Sequence, residues 1–169
     1  MKIGLLSDTH GELDNRVLHY FKEVDQIWHA GDIGSIKVLT DLIKFKKTVS
    51  VYGNIDNTDI RKESHEYVFK QIEGLKFLMI HIGGKPGRYT KKAYYLIKKY
   101  KPNIFICGHS HMLFVQKDKT QNFLCLNPGA CGYKGFHKVR TILRFDVVLD
   151  EIKNLEVIEL GKRSKLVVD

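Results

Sequence analysis

Three times within the first sixty residues a short apolar run stops at a polar cluster, and this cadence constrains the fold more than any other feature of the chain. "KIGLLS" ends at "DTHGELD", "QIWHA" at "GDIGS" and "TVSVY" at "GNIDNTD". Short, near-continuous apolar runs of this kind predict strands buried on both faces. After the first run, Leu13, Val17, Leu18, Phe21 and Val24 recur at roughly helical spacing. After the second, Ile36, Leu39, Leu42 and Ile43 do the same behind Ser35, a suitable N-cap. Strand, loop, helix and strand again predict parallel strands in an α/β layer.

Beyond Tyr67 the pattern changes. "YVFKQI", a turn at Glu73 and Gly74, and "LKFLMIHI" predict a hairpin; Ala93, Leu96, Ile97 and Tyr100 mark one more helix, and "NIFICG" is another strand. The runs "MLFVQ", "NFLCLN", "TILRFDVV" and "KNLEVIEL" then follow almost without helix, which predicts a second sheet packed on the first. No repeat, low-complexity tract or Pro/Gly/Ser linker divides the chain. The 169 residues therefore predict a single domain, 1–169, large enough to bury about two thirds of its unfolded surface.

Ligands of parallel α/β sheets bind beyond the carboxyl ends of the strands, where residues distant in sequence converge. Every such end here offers a nitrogen or oxygen ligand. Asp8 and His10 follow the first strand, Asp32 the second and Asn54 the third; His81 follows a later strand, and His109 and His111 follow the next. Two carboxylates, an amide oxygen and four imidazoles exceed one tetrahedral site and suit two ions sharing a carboxylate, the arrangement of phosphoryl-transfer centres. Mixed imidazole and carboxylate donors favour Mn, Fe, Co, Ni or Zn over Ca and Mg. Alternation within Asp8-x-His10 and His109-x-His111 lets each pair reach one side, and Gly31, Gly53 and Gly108 let backbone come close. A lone DxH or HxH says little, and "GN" alone is ordinary turn chemistry; the ordered set carries the reading.

The succession DxH, GD, GN, H, GHxH resembles the calcineurin-like metallophosphoesterase superfamily over residues 1 to about 147, and the short length resembles its small single-domain phosphodiesterase branch. The resemblance implies a four-layer αββα sandwich of two mixed sheets flanked by helices. It implies that Asp8, His10, Asp32 and His111 hold one divalent metal, and that Asp32 as a bridge, Asn54, His81 and His109 hold a second, with Mn the first expectation and Ni, Co, Zn or Fe the others. Asp32 and Asn54 would position metals, hydroxide and phosphate for in-line attack by a bridging hydroxide on a small phosphate ester. "LNPGA", residues 126 to 130, is similar to the family's Asn-Pro-Gly-Ser segment, with Ala130 in place of the serine hydroxyl. Many members carry histidine where this chain has Ile55. The small branch commonly lacks it and has Asp at the place of Asp56, which is expected to orient a ligand such as His10. Similarly, His81 is followed by Ile82, Gly83 and Gly84 in place of the frequent Gly-His.

Arg88, in "GGKPGR", and Arg140, after "NPGA", are the candidate phosphate-binding residues, with Lys85 a weaker one. His29 is expected to be buried rather than ligating, and His19, His65 and His137 are assigned no metal role. Cys107, Cys125 and Cys131 form no disulfide framework and follow no secretory signal, so a reduced, cytoplasmic compartment is expected, with Cys107 a buried structural thiol. No "GxSxG" elbow supports a serine hydrolase. No apolar run approaches the roughly 20 residues of a membrane span, so a soluble protein is expected. The net charge of +9 falls largely on lysines beside apolar positions at helical spacing, as in "KFKK" and "KKYK", and favours anionic partners without specifying chemistry. Two rival readings remain at this point. One is a non-catalytic protein-binding scaffold of the same fold, as in the small retromer subunit. The other is a nucleic-acid-directed esterase, weakened because the aromatics of "YTKKAYYLIKKY" divide between a helix core face and its flanks. The oligomeric state stays open, a homo-oligomer included.

Overall fold

In the computed structural model, which describes residues 1–164, the opening cadence becomes β1 (Lys2–Leu6), α1 (Asn15–Tyr20), β2 (Gln26–His29), α2 (Ile36–Phe45) and β3 (Lys47–Ser50). Ser35 caps α2, its side chain accepting from Lys37 N. A short α3 (Thr58–Glu63) follows, unforeseen in the sequence because six residues carry no usable periodicity; Asn57 caps it. The predicted hairpin is β4 (Tyr67–Ile72) and β5 (Leu75–Ile80). Next come a two-residue hairpin, β6 (Gly84–Lys85) with β7 (Arg88–Tyr89), then α4 (Lys91–Tyr100), β8 (Ile104–Ile106), β9 (Leu113–Asp118), β10 (Phe123–Pro128), β11 (Val139–Val148) and β12 (Glu151–Lys162). Residues 165–169, the end of the expected domain, lie outside the described residues.

Two five-stranded sheets result, ordered β12-β11-β1-β2-β3 and β4-β5-β8-β10-β9. β1, β2 and β3 run parallel, as do β5, β8 and β10, and the remaining neighbours are antiparallel. The strand-rich second half makes the expected second sheet, residues 67–128, but not all of its strands join it. β11 and β12 return to the first sheet, with Ile3 opposite Phe145, and cover the free edge of β1. Alternate residues of β11 serve two cores: Leu143, Phe145 and Val147 face the space between the sheets, while Ile142 faces the helices.

Between the sheets, Ile3, Leu5, Trp28 and Val49 meet Phe77, Met79, Ile106 and Leu126, and the Trp28 ring stands edge-on to Phe77 at 5.2 Å. The opposite face of the first sheet, Leu6 and Ile27, packs on α1, α2 and α3 through Val17, Phe21, Leu39, Leu42 and Ile60. The outer face of the second sheet packs Leu78, Ile80 and Phe105 on Ala93, Leu96 and Ile97 of α4. Strands buried on both sides need no polar alternation, which is why their sequences are unbroken apolar runs. The layer order is helix, sheet, sheet, helix, the expected αββα sandwich. No helix among the described residues is long and apolar enough to cross a membrane.

Candidate metal centre

The loops beyond β1, β2, β3, β5 and β8 are stitched together by their backbones. Asp8 N donates to Gly31 O at 2.9 Å and His10 N to Asp32 O at 3.0 Å, joining the first two loops; Gly108 N donates to His81 O at 3.0 Å, joining two more. His109 N donates to Asp8 Oδ2 at 3.2 Å, tying one sheet to the other. Held this way, Asp8, His10, Asp32, His109 and His111 all adopt left-handed backbone, with φ between 49° and 66°. Non-glycine residues pay roughly 1–2 kcal/mol each for that conformation, so it persists only where the surroundings enforce it, characteristically at functional sites. Gly31 takes φ +97°, and a Cβ there would lie 2.6 Å from His81 Cγ. Gly53 is bare for a similar reason, since a Cβ would overlap the Asp32 carboxylate.

The result is two adjoining donor groups, Asp8 with His10 and His111, and Asp32 with His81 and His109, in each of which the ligand atoms lie within 4.8 Å of one another. In the first, His10 Nε2 and His111 Nε2 are 3.1 Å apart, and His111 Nε2 is 3.3 Å from Asp8 Oδ1. Asp32 stands between the groups, Oδ1 3.2 Å from His81 Nε2 and Oδ2 4.0 Å from His10 Nε2. His81 Nδ1 donates to Ala30 O at 2.7 Å, which fixes the tautomer and leaves Nε2 a bare lone pair facing the cluster.

Two buried atoms in this cluster, Asp8 Oδ1 and His81 Nε2, have no hydrogen-bond partner among the described residues. Such atoms cost about 1–3 kcal/mol each when left unsatisfied, and a divalent cation satisfies both at once. The electrostatics agree. Burial pulls the His81 pKa down, yet the Asp32 carboxylate 3.2 Å from Nε2, the Asp8 charge and Ala30 O outweigh it and hold the imidazole above its ordinary value. Burial pushes the Asp32 carboxyl up, but His81, Ile55 N–H and His10 together keep it below. His10 goes the other way, because burial outweighs both carboxylates. The carboxylates demand positive charge among imidazoles that burial makes reluctant to protonate. Residues of this kind fit a metal.

The remaining candidates separate. Asn54 is exposed beside His81 on a cleft of about 380 Å³ that Tyr52, Arg61 and Lys92 also line. Arg88 and Lys85 lie with His109, Ser110 and Met112 on a second cleft of about 680 Å³. Arg140 does not reach either. Only 1% exposed, it gives its guanidinium to Asp14 Oδ2 (2.9 Å), Leu160 O (2.8 Å) and Lys162 O (3.2 Å), and lies 3.9 Å over the Tyr133 ring. The expectation that it binds phosphate is corrected: its donors are consumed by structure. Asp56 does not orient His10 either. Its carboxylate accepts from Gly53 N (2.8 Å), Gly34 N (2.7 Å) and Ile33 N (3.1 Å), clamping the loops after β2 and β3 in register.

Three residues near the centre escaped sequence reasoning. Asn127, within "LNPGA", donates to Gly108 O (2.9 Å) and Ser110 Oγ (3.2 Å) and so braces the HxH loop. Arg61, on the unforeseen α3, donates to Gly53 O (3.2 Å) and Asp56 O (2.7 Å). His137 stands edge-on to His111 at 5.3 Å, its Nε2 donating to Gly132 O; no pattern in "GYKGFHK" marks it. His29 is fully buried and bonded to Thr9 Oγ1 (3.0 Å) and Gly31 N (3.1 Å). All three thiols are buried, and burial pushes Cys107 up to about 12.

Residues 1–150 match the family model of the calcineurin-like phosphoesterase superfamily domain. The phosphodiesterase MJ0936 of Methanocaldococcus jannaschii is 30% identical over 150 residues, covering 79% of this chain and 86% of that protein. A solved archaeal phosphodiesterase superposes with a TM-score of 0.74 at 26% identity, over 95% of this chain and 100% of that one. A Vps29 variant from Entamoeba histolytica shares the fold, with a TM-score of 0.75 at 15% identity over 95% and 99% of the two chains.

Proposed function

The chain belongs to the calcineurin-like phosphoesterase superfamily, and from that premise we propose that it is a cytoplasmic, single-domain phosphodiesterase that works with two divalent transition-metal ions, Mn first among them. The observation that carries the reading is the pair of donor groups meeting at Asp32, with Asp8 Oδ1 and His81 Nε2 buried and unpartnered between them. Asp8, His10, Asp32 and His111 would hold one ion, and Asp32, Asn54, His81 and His109 the other. Bound there, the ions supply a water acidified towards pKa 7 and neutralise charge on the phosphoryl oxygens.

The chain's own residues supply position. Ala30 O aims His81, Asp56 and Arg61 hold the Gly53–Asn54 loop against Asp32, and Asn127 holds the loop that carries His109 and His111. Arg88, exposed on the cleft beside His109, offers a cation to a phosphate oxygen. Ile55, 47% exposed, brings no proton for the leaving oxygen, so small diesters with acidic leaving groups are favoured.

The test is hydrolysis of bis-p-nitrophenyl phosphate and p-nitrophenyl phosphate with Mn, Ni, Co or Zn, with Asp32→Ala as control. Faster turnover of the diester, lost in the variant, supports the reading; inactivity on both esters with every metal overturns it. The likeness to Vps29 supports a second reading, a protein-binding scaffold, and that outcome would revive it.

A further inference from the structure

Seven cations and no acid lie between Gly84 and Lys101, and all seven are exposed. Within α4, Ala93, Leu96 and Ile97 take the buried face, so the solvent face presents Lys91 and Lys92, then Tyr94 and Tyr95, then Lys98 and Lys99, one pair to each successive turn. The two tyrosines are 47% and 63% exposed, and Lys98 Nζ stands 5.3 Å from the Tyr94 ring centre. Lys92 pairs with Glu66, but among the described residues Lys91, Lys98 and Lys99 have no carboxylate partner. Tyr89 and Tyr100 pack on the core beneath this helix, whereas Tyr94 and Tyr95 do not. The latter two are open rings bracketed by unneutralised lysines.

This face is continuous with the metal centre. Thr90, which caps α4, lies on both clefts; Lys92 lines the one beside Asn54, and Arg88 and Lys85 line the one beside His109. We infer that β6, β7 and α4 form a docking track for single-stranded nucleic acid, which leads a strand from the lysine-rich end of α4 into the clefts. Lysines spaced along a strand neutralise successive phosphates, and every base has a face to stack on a tyrosine, which is the combination that holds single strands without sequence preference. An acidic peptide would use the lysines and leave the rings idle. A duplex keeps its bases stacked on one another and cannot reach them.

Delivery of the strand rests on the phosphodiesterase reading above. There the same bonds change, more slowly because a sugar oxygen leaves less readily than the acidic groups favoured above: a water oxygen bonds to phosphorus and gives up a proton, one ester P–O bond breaks, and the leaving oxygen takes a proton from solvent to give a hydroxyl and a phosphomonoester end.

Fluorescence anisotropy of labelled oligo(dT) and oligo(U) with the full chain in EDTA tests the track apart from turnover. Tyr94→Ala with Tyr95→Ala should weaken binding about tenfold or more. Lys98→Ser with Lys99→Ser should reduce the slope of log K against log salt by about 1.4, the loss of two phosphate contacts. Both double variants should hydrolyse bis-p-nitrophenyl phosphate at the wild-type rate with Mn. Oligonucleotide affinity unchanged by the tyrosine pair, or matched by duplex DNA or by phosphatidylserine vesicles, overturns the inference. Diester hydrolysis with no oligonucleotide binding removes the track alone. Tyrosine-dependent binding with no hydrolysis under any metal supports the track and removes the catalytic reading.

Discussion

At the scale of single residues, His29 and Asp56 show how polar groups buried beneath the ligands hold the site in shape. His29 keeps one nitrogen protonated towards Thr9 Oγ1 and one bare towards Gly31 N–H, and burial holds its pKa down to about 4 against an ordinary 6.5. Protonation is therefore harder in the folded chain than in the unfolded one. Stability from this group is complete above pH 6.5 and is lost as pH falls towards 4, by up to roughly 3 kcal/mol. Urea denaturation of the metal-free protein across that window should show the fall, and His29→Gln should flatten it. Asp56 accepts three backbone N–H groups from two loops. Removing it leaves those donors buried and unpaired, so Asp56→Ala should cost about 3 kcal/mol or more and weaken metal binding, as read by urea denaturation and calorimetric titration. Asp56→Asn keeps a single acceptor oxygen and should fall between the two.

At the scale of elements, Arg140 joins parts that no local pattern connects. From β11 it reaches Leu160 and Lys162 on β12 and Asp14 at the start of α1, 126 residues away. Asp14 in turn accepts from Arg16 N (2.9 Å) and caps α1, and Arg16 and then Arg140 hold its carboxyl well below the usual carboxylate range. Arg140→Met should leave Asp14 without its buried partner and cost about 3 kcal/mol or more, while KM for a small diester changes less than twofold. Urea unfolding and steady-state kinetics separate this outcome from phosphate binding, which would raise KM and spare stability. The case shows where sequence reading stops. The gathering of the strand-end donors was legible because residue type and place in the cadence suffice to name candidates. The partners of a charge are settled by topology, so Arg140 read as a free cation. In the same way β1, β2 and β3 were legible as doubly buried runs, whereas α3 and the β6–β7 hairpin are too short to carry a period. Which sheet β11 and β12 join depends on an edge of β1 that the sequence does not display.

For the whole molecule, the candidate metal centre is where the fold gives up stability. Five candidate ligands hold left-handed backbone, and two buried polar atoms face no partner among the described residues, while the two cores and the loop-to-loop hydrogen bonds keep them there. Metal binding should return part of that loss. An ion present at 100 times its dissociation constant stabilises by about 2.7 kcal/mol, and for a chain of this size that corresponds to a rise in Tm of roughly 5–11 °C. The placement of Asp32 makes the number of ions testable on the same protein. His111→Ala removes a donor from one group and should leave one ion bound, with about half the stabilisation. Asp32→Ala removes the carboxylate that stands between both groups and should abolish the second ion outright and weaken the first. Calorimetric titration with Mn gives the stoichiometry and scanning calorimetry the Tm. A stoichiometry of one in the unsubstituted chain, with no further loss in His111→Ala, would replace two ions by one and leave the His10–His111 pair without a role in metal binding.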